Sequence, residues 1–340
     1  GRFLGIGYIN PRSLIMIRLL SRGDLVIDER FFEGRLREAL SLRGSRFGES
    51  FRVVNSESDL LPGLVVDKYE DCLAVQILTC GMERFRDAII AVLKRIFAAR
   101  AIVLRNDSPY RAEEGLPLYT EVVEGALGSP VVVRVGPLRF MVDLLSGHKT
   151  GFYFDQRENR SVLEGFCQGA RVLDLFSYTC GFGLHACLGG ARSVTCVDTS
   201  EAALEIGRRN MELNGLKGIE FIRQDCFGFL KEATASYDII VLDPPAFIKS
   251  RKKLHEGERG YIDLNKRALR IIKDNGHLFT FSCSHHMKKP RFRDILRIAA
   301  YGQADLYLVK ELSQSGDHPI VLNVPETEYL KGMVLRVKKR

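Results

Sequence analysis

The sequence lacks the features that mark disulfide-bonded, zinc-binding and membrane proteins. None of its eight cysteines forms a CxxC pair, and no Cys/His cluster has the spacing of zinc ligands. No apolar run approaches the roughly 20 residues that a membrane-spanning helix needs, and no signal-peptide pattern opens the chain. We therefore expect a cytoplasmic protein with reduced thiols, no bound metal and no membrane contact.

The charged residues are abundant and unevenly distributed. The 340 residues are 46% hydrophobic and 27% charged, with a formal net charge of +8, which favours acidic partners. Residues 246–300 hold fourteen Lys and Arg against five Asp and Glu, a local +9. This density favours nucleic acid over acidic metabolites, with Lys252, Lys253 and Lys288 as candidate contacts. The basic C-terminus, residues 336–340, is expected to be only solvated.

The order of predicted elements divides the chain into three domains. Residues 1–46 predict a strand-turn-strand unit followed by a helix, and residues 47–140 predict a small α+β domain. Residues 141–340 alternate strictly between strands and helices, which predicts an α/β domain with a parallel sheet and ligand sites at its carboxyl edge. The predicted strands of this domain span 171–176, 193–198, 219–224, 237–242, 277–282 and 305–311, and the predicted helices span 182–189, 201–213, 226–233, 261–273 and 291–300.

The first loop of the α/β domain carries an acidic residue and a glycine-containing turn. Asp174 ends the first strand, and Phe176, Gly181 and Gly183 follow as candidate cofactor contacts. A dinucleotide-binding loop would need a third glycine and would disfavour the carboxylate. The loop therefore favours a cationic ligand over the pyrophosphate of an oxidoreductase cofactor.

The next two strands also end in acidic residues. Asp198 is placed to accept the hydroxyls of a ribose, and Asp225 lies where an adenine amine would be. With Asp174 near the amino-acid portion, the three acids suit S-adenosylmethionine. The alternative is that some of them only cap the following helices.

Two later strand ends carry candidate catalytic residues. Asp243 is followed by Pro244, Pro245 and Phe247, and the two prolines make a rigid platform that could clasp a flat base. Cys283 lies between two serines at the next strand end, where neighbouring His and Lys side chains could lower its pKa. The other interpretations are a simple turn for the prolines and a small core residue for the cysteine.

A nucleophilic thiol beside a methyl donor suits methylation of a pyrimidine. Addition of Cys283 to C6 would make C5 nucleophilic, and Asp243 would hold or protonate N3. A base must then remove the C5 proton before the thiol is eliminated. The sequence does not identify this base.

These residues resemble the large-subunit ribosomal RNA cytosine-C5 methyltransferases that have an N-terminal PUA domain. The resemblance covers essentially the whole chain, and its most specific motifs are Asn10-Pro11-Arg12-Ser13, the segment 147–157, Asp243-Pro244-Pro245-x-Phe247 and Ser282-Cys283-Ser284. It implies an incomplete PUA domain, a central EEHEE-type domain, a Rossmann-like class I methyltransferase domain, 23S-type rRNA as substrate, 5-methylcytosine as product, and compatibility with a homodimer.

The resemblance also implies further cofactor contacts and shows two departures, of which the first is the absent start of the PUA domain. Lys149, Phe154 and Gln156 belong to a Lys-Thr-Gly-aromatic segment that runs along the cofactor pocket in such enzymes, although the segment could also be only a linker turn. RNA cytosine methyltransferases with two cysteines carry the second in the Asp-Pro-Pro loop, where this chain has Ala246. Release of the product is therefore expected to proceed without it.

Three other functions remain open from the sequence. A guanine-N7 or other base N-methyltransferase would use the Asp-Pro-Pro-x-Phe loop to hold an amine. A nucleotide-dependent oxidoreductase is disfavoured by Asp174 and the missing third glycine. A non-catalytic RNA-binding protein would use only the basic segment.

Overall fold

The computed structural model describes residues 2–128, 130–248 and 250–340, apart from the side chain of Arg251. Lys249, one of the basic residues counted above, lies outside this part. The chain forms two compact units, Gly1–Asp155 with Ser315–Thr327 and Gln156–Gln314 with Glu328–Arg340. Their boundaries differ from the predicted ones at 46/47 and 140/141, and the three-domain division stays a prediction. Among the described residues, no helix has the length and apolarity that crossing a membrane requires.

The first unit is built on a five-stranded sheet with the order β3-β4-β5-β6-β7. Two antiparallel hairpins, β1-β2 and β8-β9, accompany it, and the first is the predicted strand-turn-strand unit. Strand β7 is not predicted from the sequence, because its mostly exposed residues give no clear apolar alternation. The strands are β1 (Ile6–Ile9), β2 (Ile17–Ser21), β3 (Ser50–Asn55), β4 (Leu64–Tyr69), β5 (Cys72–Ile77), β6 (Ala101–Asn106), β7 (Tyr119–Gly125), β8 (Val131–Val135) and β9 (Leu138–Val142), and the helices are α1 (Glu29–Arg43), α2 (Cys80–Glu83), α3 (Arg86–Phe97) and α4 (Tyr110–Glu113).

A buried ion pair and two buried hydrogen bonds lie where the segment 315–327 meets the rest of this first unit. Arg43 and Asp59 are both fully buried and form a salt bridge of 2.8 Å. Arg43 also donates to the carbonyl of Asp317 at 2.9 Å, and the Asp317 carboxylate accepts the backbone N–H of Arg52 at 3.0 Å. An unpaired buried charge is strongly destabilising, so removing any one of these partners would leave the charge of another uncompensated and destabilise the unit.

The second unit contains a seven-stranded sheet with the order β12-β11-β10-β13-β14-β16-β15. Strands β10 to β14 are parallel, while β16 is antiparallel to both β14 and β15. The strands are β10 (Arg171–Leu175), β11 (Ser193–Asp198), β12 (Ile219–Arg223), β13 (Tyr237–Leu242), β14 (Ile272–Ser282), β15 (Ala304–Leu312) and β16 (Lys331–Lys339), and the helices are α5 (Arg157–Glu164), α6 (Gly181–Leu188), α7 (Glu201–Leu213), α8 (Cys226–Glu232), α9 (Leu254–Ile271) and α10 (Lys289–Ala300).

The strand order locates the ligand crevice of this sheet. The chain proceeds from β10 outward through β11 to β12, then returns to pair β13 with the other side of β10. In open α/β sheets, ligands bind outside the carboxyl ends of the strands where the order reverses in this way. The predicted α/β, Rossmann-like fold is confirmed, and the loops after β10 and β13 border the crevice.

The C-terminal segment is the main difference from the sequence-based expectation. Residues 336–340 do not form a solvated tail, because most of them belong to β16, which lies between β14 and β15. Val334 and Val337 are fully buried, while Arg336 and Lys338 are exposed. The pattern was missed because the alternating charged residues resemble a basic tail, although the intervening residues are apolar.

Truncating a buried side chain of β16 is expected to destabilise the second unit. Leu335 is 4% exposed and pairs in register with Leu278 of β14 and Leu308 of β15. Leu335→Ala should lower the free energy of unfolding by about 3 kcal/mol, because it removes buried methyl groups and leaves a cavity. Urea unfolding followed by circular dichroism measures the change. The matched control is Arg336→Ala on the same strand, and an equal loss in both variants would contradict a central position for β16.

Candidate active site

Three carboxylates converge at the carboxyl edge of the parallel strands. Asp174 pairs in register with Cys196 of β11 and Val241 of β13. Asp198 is the last residue of β11, and Asp243 directly follows β13. Both of these carboxylates act electrostatically on Asp174. The structure therefore brings together three acidic residues that the sequence predicted at separate strand ends.

Asp174 is the most deeply buried of these acids. It is 1% exposed, and its Oδ2 accepts the backbone N–H of Gly183 at 2.9 Å. Its Oδ1 is buried and has no hydrogen-bond partner in the described part of the chain. Burial, reinforced by the charge of Asp243, raises the pKa of the Asp174 carboxyl to about 8. One oxygen of this carboxyl group thus lies buried without a described partner at the strand-order reversal.

Gly183 allows α6 to begin close to Asp174. A Cβ atom at this position would lie 2.3 Å from the Sγ of Cys196, which is too close for any side chain. A substitution would therefore push the start of α6 away from β11 and lengthen the hydrogen bond to Asp174. This close approach is the structural reason for the glycine in the predicted cofactor loop.

The loop between β10 and α6 has an unusual backbone conformation. Phe176, Tyr178 and Cys180 have φ angles of 61°, 49° and 61° although none is glycine. Such residues are strained and persist where surrounding contacts fix them. Here the N–H of Tyr178 donates to Asp198 Oδ2 at 2.8 Å, and the N–H of Ser177 donates to the carbonyl of Val197 at 3.1 Å. Strained segments of this kind cluster at ligand sites.

The other two predicted acids both accept hydrogen bonds from the backbone. Asp198 accepts the N–H of Ser200 at 2.9 Å with its second oxygen. Asp225 is the N-cap of α8 and accepts the N–H of Gly228 at 2.8 Å. The capping interpretation therefore holds for Asp225. A carboxylate has about four acceptor sites, so these bonds leave room for a ligand, and the cofactor roles stay predictions.

The Asp-Pro-Pro loop meets the strand end that carries Cys283. The Sγ of the half-buried Cys283 lies 3.8 Å from the carbonyl oxygen of Pro244. The next residue, Ser284, accepts the backbone N–H of Ile248 at 3.2 Å. These two contacts hold the loop against the end of β14 and place the thiol beside the predicted base-binding platform.

A buried hydroxyl network lies beneath Cys283. The Ser282 hydroxyl donates to the Tyr261 hydroxyl at 3.0 Å, and Tyr261 is also 3.0 Å from the Ser284 hydroxyl. Burial, with a contribution from the nearby Cys283, raises the pKa of Tyr261 to about 12. Tyr261 therefore stays protonated and can keep both serines hydrogen-bonded.

Lys331 was not identified from the sequence. It is 3% exposed, and its Nζ donates to the carbonyls of Ser284 and Tyr329 at 2.7 and 2.6 Å. Burial lowers its pKa to about 8, against an opposing effect of Cys283. In the sequence, Lys331 is recognisable only as a lysine just before the apolar residues of β16. Its position beside Cys283 becomes evident only when β16 is paired with β14.

Aromatic rings connect the cofactor loop to the Asp-Pro-Pro loop. Phe247 lies 6.4 Å from Phe176, 6.0 Å from Phe227 and 4.7 Å from Tyr261, measured between ring centroids. Gly257 of α9 permits the approach, because a Cβ there would lie 2.4 Å from the Cγ1 of Ile248, the next residue of the loop. Aromatic contacts of this kind hold the two loops together.

The predicted contacts from the Lys-Thr-Gly segment lie partly in the other unit. Within the first unit, Lys149 forms a salt bridge of 2.7 Å with Asp155, and the buried ring of Phe154 packs 5.0 Å from Tyr69. Gln156 begins the second unit and accepts the side-chain amide of Asn159 at 2.6 Å. These contacts give each residue a structural role, and its contact with a cofactor stays a prediction.

The basic segment is less positive than its composition suggests. Acids outside residues 246–300 neutralise part of its charge, because Lys273 pairs with Asp238 at 2.7 Å and Lys289 pairs with Glu328 at 3.0 Å. Lys252, Lys253 and Lys288 are exposed and have no salt bridge with any described residue. Within the described ranges, no three or more His, Cys, Asp or Glu side chains are grouped to hold a metal ion.

The sequence is similar to protein-family models and to curated proteins. Residues 100–333 match a protein-family model described as S-adenosylmethionine-dependent methyltransferase, and residues 1–22 match a PUA-like domain. Ribosomal RNA large subunit methyltransferase I of Pseudoalteromonas translucida is 40% identical over 99% of this chain and 88% of its own length. The enzyme of the same name from Klebsiella pneumoniae strain 342 is 39% identical over 99% and 87%.

Solved structures share the fold at lower sequence identity. A putative SAM-dependent methyltransferase from Streptococcus mutans superposes with a TM-score of 0.86 and 22% identity, covering 98% of this chain and 88% of that one. A putative methyltransferase solved with SAH gives a TM-score of 0.87 at 22% identity, with the same coverage.

The buried carboxyl of Asp174 makes stability depend on pH. Its folded-state pKa of about 8 lies above the ordinary value, so its favourable contribution is complete in acid and is lost as the pH rises towards 8. Asp174→Asn cannot ionise, so its free energy of unfolding relative to the wild type should increase by roughly 1 kcal/mol per pH unit between about pH 5 and 7 and level off above pH 8. Thermal or urea unfolding across this range measures the difference.

Asp305→Asn is the matched control for this experiment. Asp305 is exposed, and its hydrogen bond with Arg340 lowers its pKa. Its substitution should give no stabilisation that grows between pH 5 and 8. A flat difference for Asp174→Asn as well would show that the Asp174 carboxyl ionises normally in the folded protein.

Proposed function

Because the chain belongs to the S-adenosylmethionine-dependent methyltransferase family, we propose that it methylates C5 of a cytosine in large-subunit, 23S-type ribosomal RNA. The curated relatives named above are ribosomal RNA large subunit methyltransferases I, and the chain spans most of their length. The proposal goes further in naming the base and the atom. It depends on one observation, the Cys283 thiol 3.8 Å from the carbonyl of Pro244.

The residues around the crevice fit the cofactor. The Oδ1 of Asp174 is a buried polar atom without a partner in the described part of the chain, and Gly183 lets α6 begin close to the strand end that carries it. When bound, S-adenosylmethionine supplies the methyl group as an electrophile. The residues that we expect to hold it are Asp174, Phe176, Gly181, Gly183, Asp198, Asp225 and Asp243, with Lys149, Phe154 and Gln156 from the Lys-Thr-Gly segment.

Cys283 acts as the nucleophile in this proposal. Its thiolate adds to C6 of the cytosine, and the electron pair of the C5–C6 double bond becomes available for bond formation at C5. Once C5 carries the methyl group, loss of the C5 proton restores the double bond as the C6–S bond breaks. Asp243, at the adjacent strand end, holds the N3 edge of the base.

The rigid loop and its aromatic neighbour position the base. Pro244 and Pro245 lack backbone N–H groups and fix φ, so the loop can hold a flat ring without rearranging. Phe247 presents its ring at the same loop and packs against Tyr261. Ala246 offers no second thiol, so elimination of Cys283 from the product depends on removal of the C5 proton alone.

We expect the RNA to bind at the three exposed lysines that form no salt bridge with a described residue. Lys252, Lys253 and Lys288 would contact the RNA backbone near the loops that carry Asp243 and Cys283. The PUA-like match at residues 1–22 supports an RNA substrate. A homodimer is a further expectation from the family resemblance, and a cytoplasmic location is expected from the cysteine pattern and the lack of a signal peptide.

Replacing the proposed nucleophile is expected to abolish the reaction. Cys283→Ala should reduce formation of 5-methylcytosine by at least about 10³-fold, because C5 is not nucleophilic without the C6 adduct. The measurement is mass-spectrometric and bisulfite mapping of large-subunit rRNA from a deletion strain that carries each variant. Calorimetry with S-adenosylmethionine checks that the variant still binds the cofactor.

Cys187→Ala is the matched control, because Cys187 is also half-buried but lies in α6. It should leave methylation unchanged. Methylation at the wild-type rate in Cys283→Ala would refute the covalent mechanism and favour a base N-methyltransferase. If rRNA from the deletion strain kept every methylated base, a non-catalytic RNA-binding role would replace the proposal.

The unpaired lysines are expected to control the salt dependence of RNA binding. Reversing Lys252, Lys253 and Lys288 to Glu removes three cations, so the slope of log K against log salt should become shallower by about 2. Binding of an rRNA fragment over a salt series measures this slope. The control reverses the exposed Lys217, Lys231 and Lys310, and an equal flattening there would assign the effect to net charge alone.

A further inference from the structure

Lys331 is a buried cation that the reaction described above does not use. A lysine that is 3% exposed must lose most of its hydration, and that loss disfavours its charged form. Its Nζ is held by two neutral acceptors, the carbonyls of Ser284 and Tyr329. Neither carbonyl carries a formal charge, so these bonds orient the ammonium without neutralising it.

The strand register places this cation beside Cys283. Lys331 pairs with Ser282, the residue before Cys283, and its Nζ reaches the carbonyl of Ser284, the residue after it. The side chain therefore spans the stretch of backbone that carries the thiol. The two groups interact electrostatically, since Cys283 is the largest influence that favours the charged form of Lys331.

The other titratable groups near this pair do not replace the thiol as counter-charge. Lys288 repels Lys331, and Tyr261 stays protonated within its serine network. Glu328 attracts Lys331 but forms its own salt bridge of 3.0 Å with Lys289. An anionic sulfur at Cys283 is therefore the best remaining partner for the ammonium.

We propose that Lys331 is a positioning residue whose ammonium, fixed by the carbonyls of Ser284 and Tyr329, stabilises the thiolate of Cys283. The thiol proton passes to water before the base binds, so the resting enzyme holds a thiolate–ammonium pair whose two charges cancel. This inference rests on the proposed function, in which that thiolate is the nucleophile. It assigns to a residue of β16 the activation that the sequence predicted from histidine and lysine neighbours of Cys283.

The rate at which Cys283 is alkylated tests this pair without RNA or cofactor. The full-length protein is treated with iodoacetamide over a pH series, and peptide mass spectrometry separates Cys283 from the other seven cysteines. Lys331→Met removes the charge at similar length and should raise the apparent pKa of alkylation by about one unit or more. Lys331→Arg keeps the charge and should restore part of the shift. Lys310→Met, an exposed lysine on β15, should change nothing.

The outcomes separate the inference from a purely structural role. Circular dichroism and the unfolding midpoint establish that Lys331→Met is folded, and an unchanged alkylation pKa in the folded variant would overturn the inference. If the variant does not fold, the reciprocal measurement decides. In Cys283→Ala, the pH dependence of Lys331 acetylation should move to lower pH, and an unmoved profile would overturn the inference.

Failure of the proposed function gives a different pattern. If Cys283→Ala still methylates cytosine normally while Lys331→Met raises the alkylation pKa, the thiolate–ammonium pair exists but is not the nucleophile of the reaction. If Cys283→Ala abolishes methylation and the alkylation pKa does not depend on Lys331, the covalent mechanism stands and the role of Lys331 is refuted.

Discussion

The antiparallel pairing of β14 with β16 is the constraint on which the second unit depends. The register runs from His277 opposite Arg336 to Ser282 opposite Lys331, so the last strand of the chain covers the whole second half of β14. Gly332 makes the pairing possible, because a Cβ there would lie 2.5 Å from the ring of Phe281. Where this pairing ends, β14 ends, and Cys283 follows. A strand at the C-terminus thus fixes the position of a residue more than forty positions earlier.

Burial moves two ionisable groups of the site in opposite directions. It raises the pKa of Asp174 and lowers that of Lys331, and both reach about 8. The common cause is that a low-dielectric environment disfavours charge of either sign. Groups with strongly shifted pKa values concentrate at functional sites, because acids, bases and nucleophiles there need pKa values matched to their tasks. One lies at the predicted cofactor end of the crevice and the other beside the predicted nucleophile.

Much of the second unit could be predicted because its periodicity is strong. Helix α7 and strand β13 begin and end at the predicted residues, and each has a clear apolar pattern. Helix α9 begins at Leu254 and not near the predicted residue 261. The prediction began too late because glycines usually weaken helices, whereas Gly257 and Gly260 allow α9 to pack closely against the Asp-Pro-Pro loop. The candidate acids and Cys283 were found because they follow strands. Lys331 was not, since its importance arises from pairing between distant segments.

The positions of the unpaired lysines support an anionic partner. Lys253 and Lys288 are the N-cap residues of α9 and α10, and neither side chain caps its helix. Cations are unfavourable there, because the helix macrodipole is positive at its N-terminus and the first N–H groups are donors without acceptors. A phosphate would reverse both effects, accepting the N–H groups and neutralising the lysines. In the free protein, these two lysines therefore destabilise the starts of their helices. A polyanion bound across both helix starts would make the same lysines stabilising.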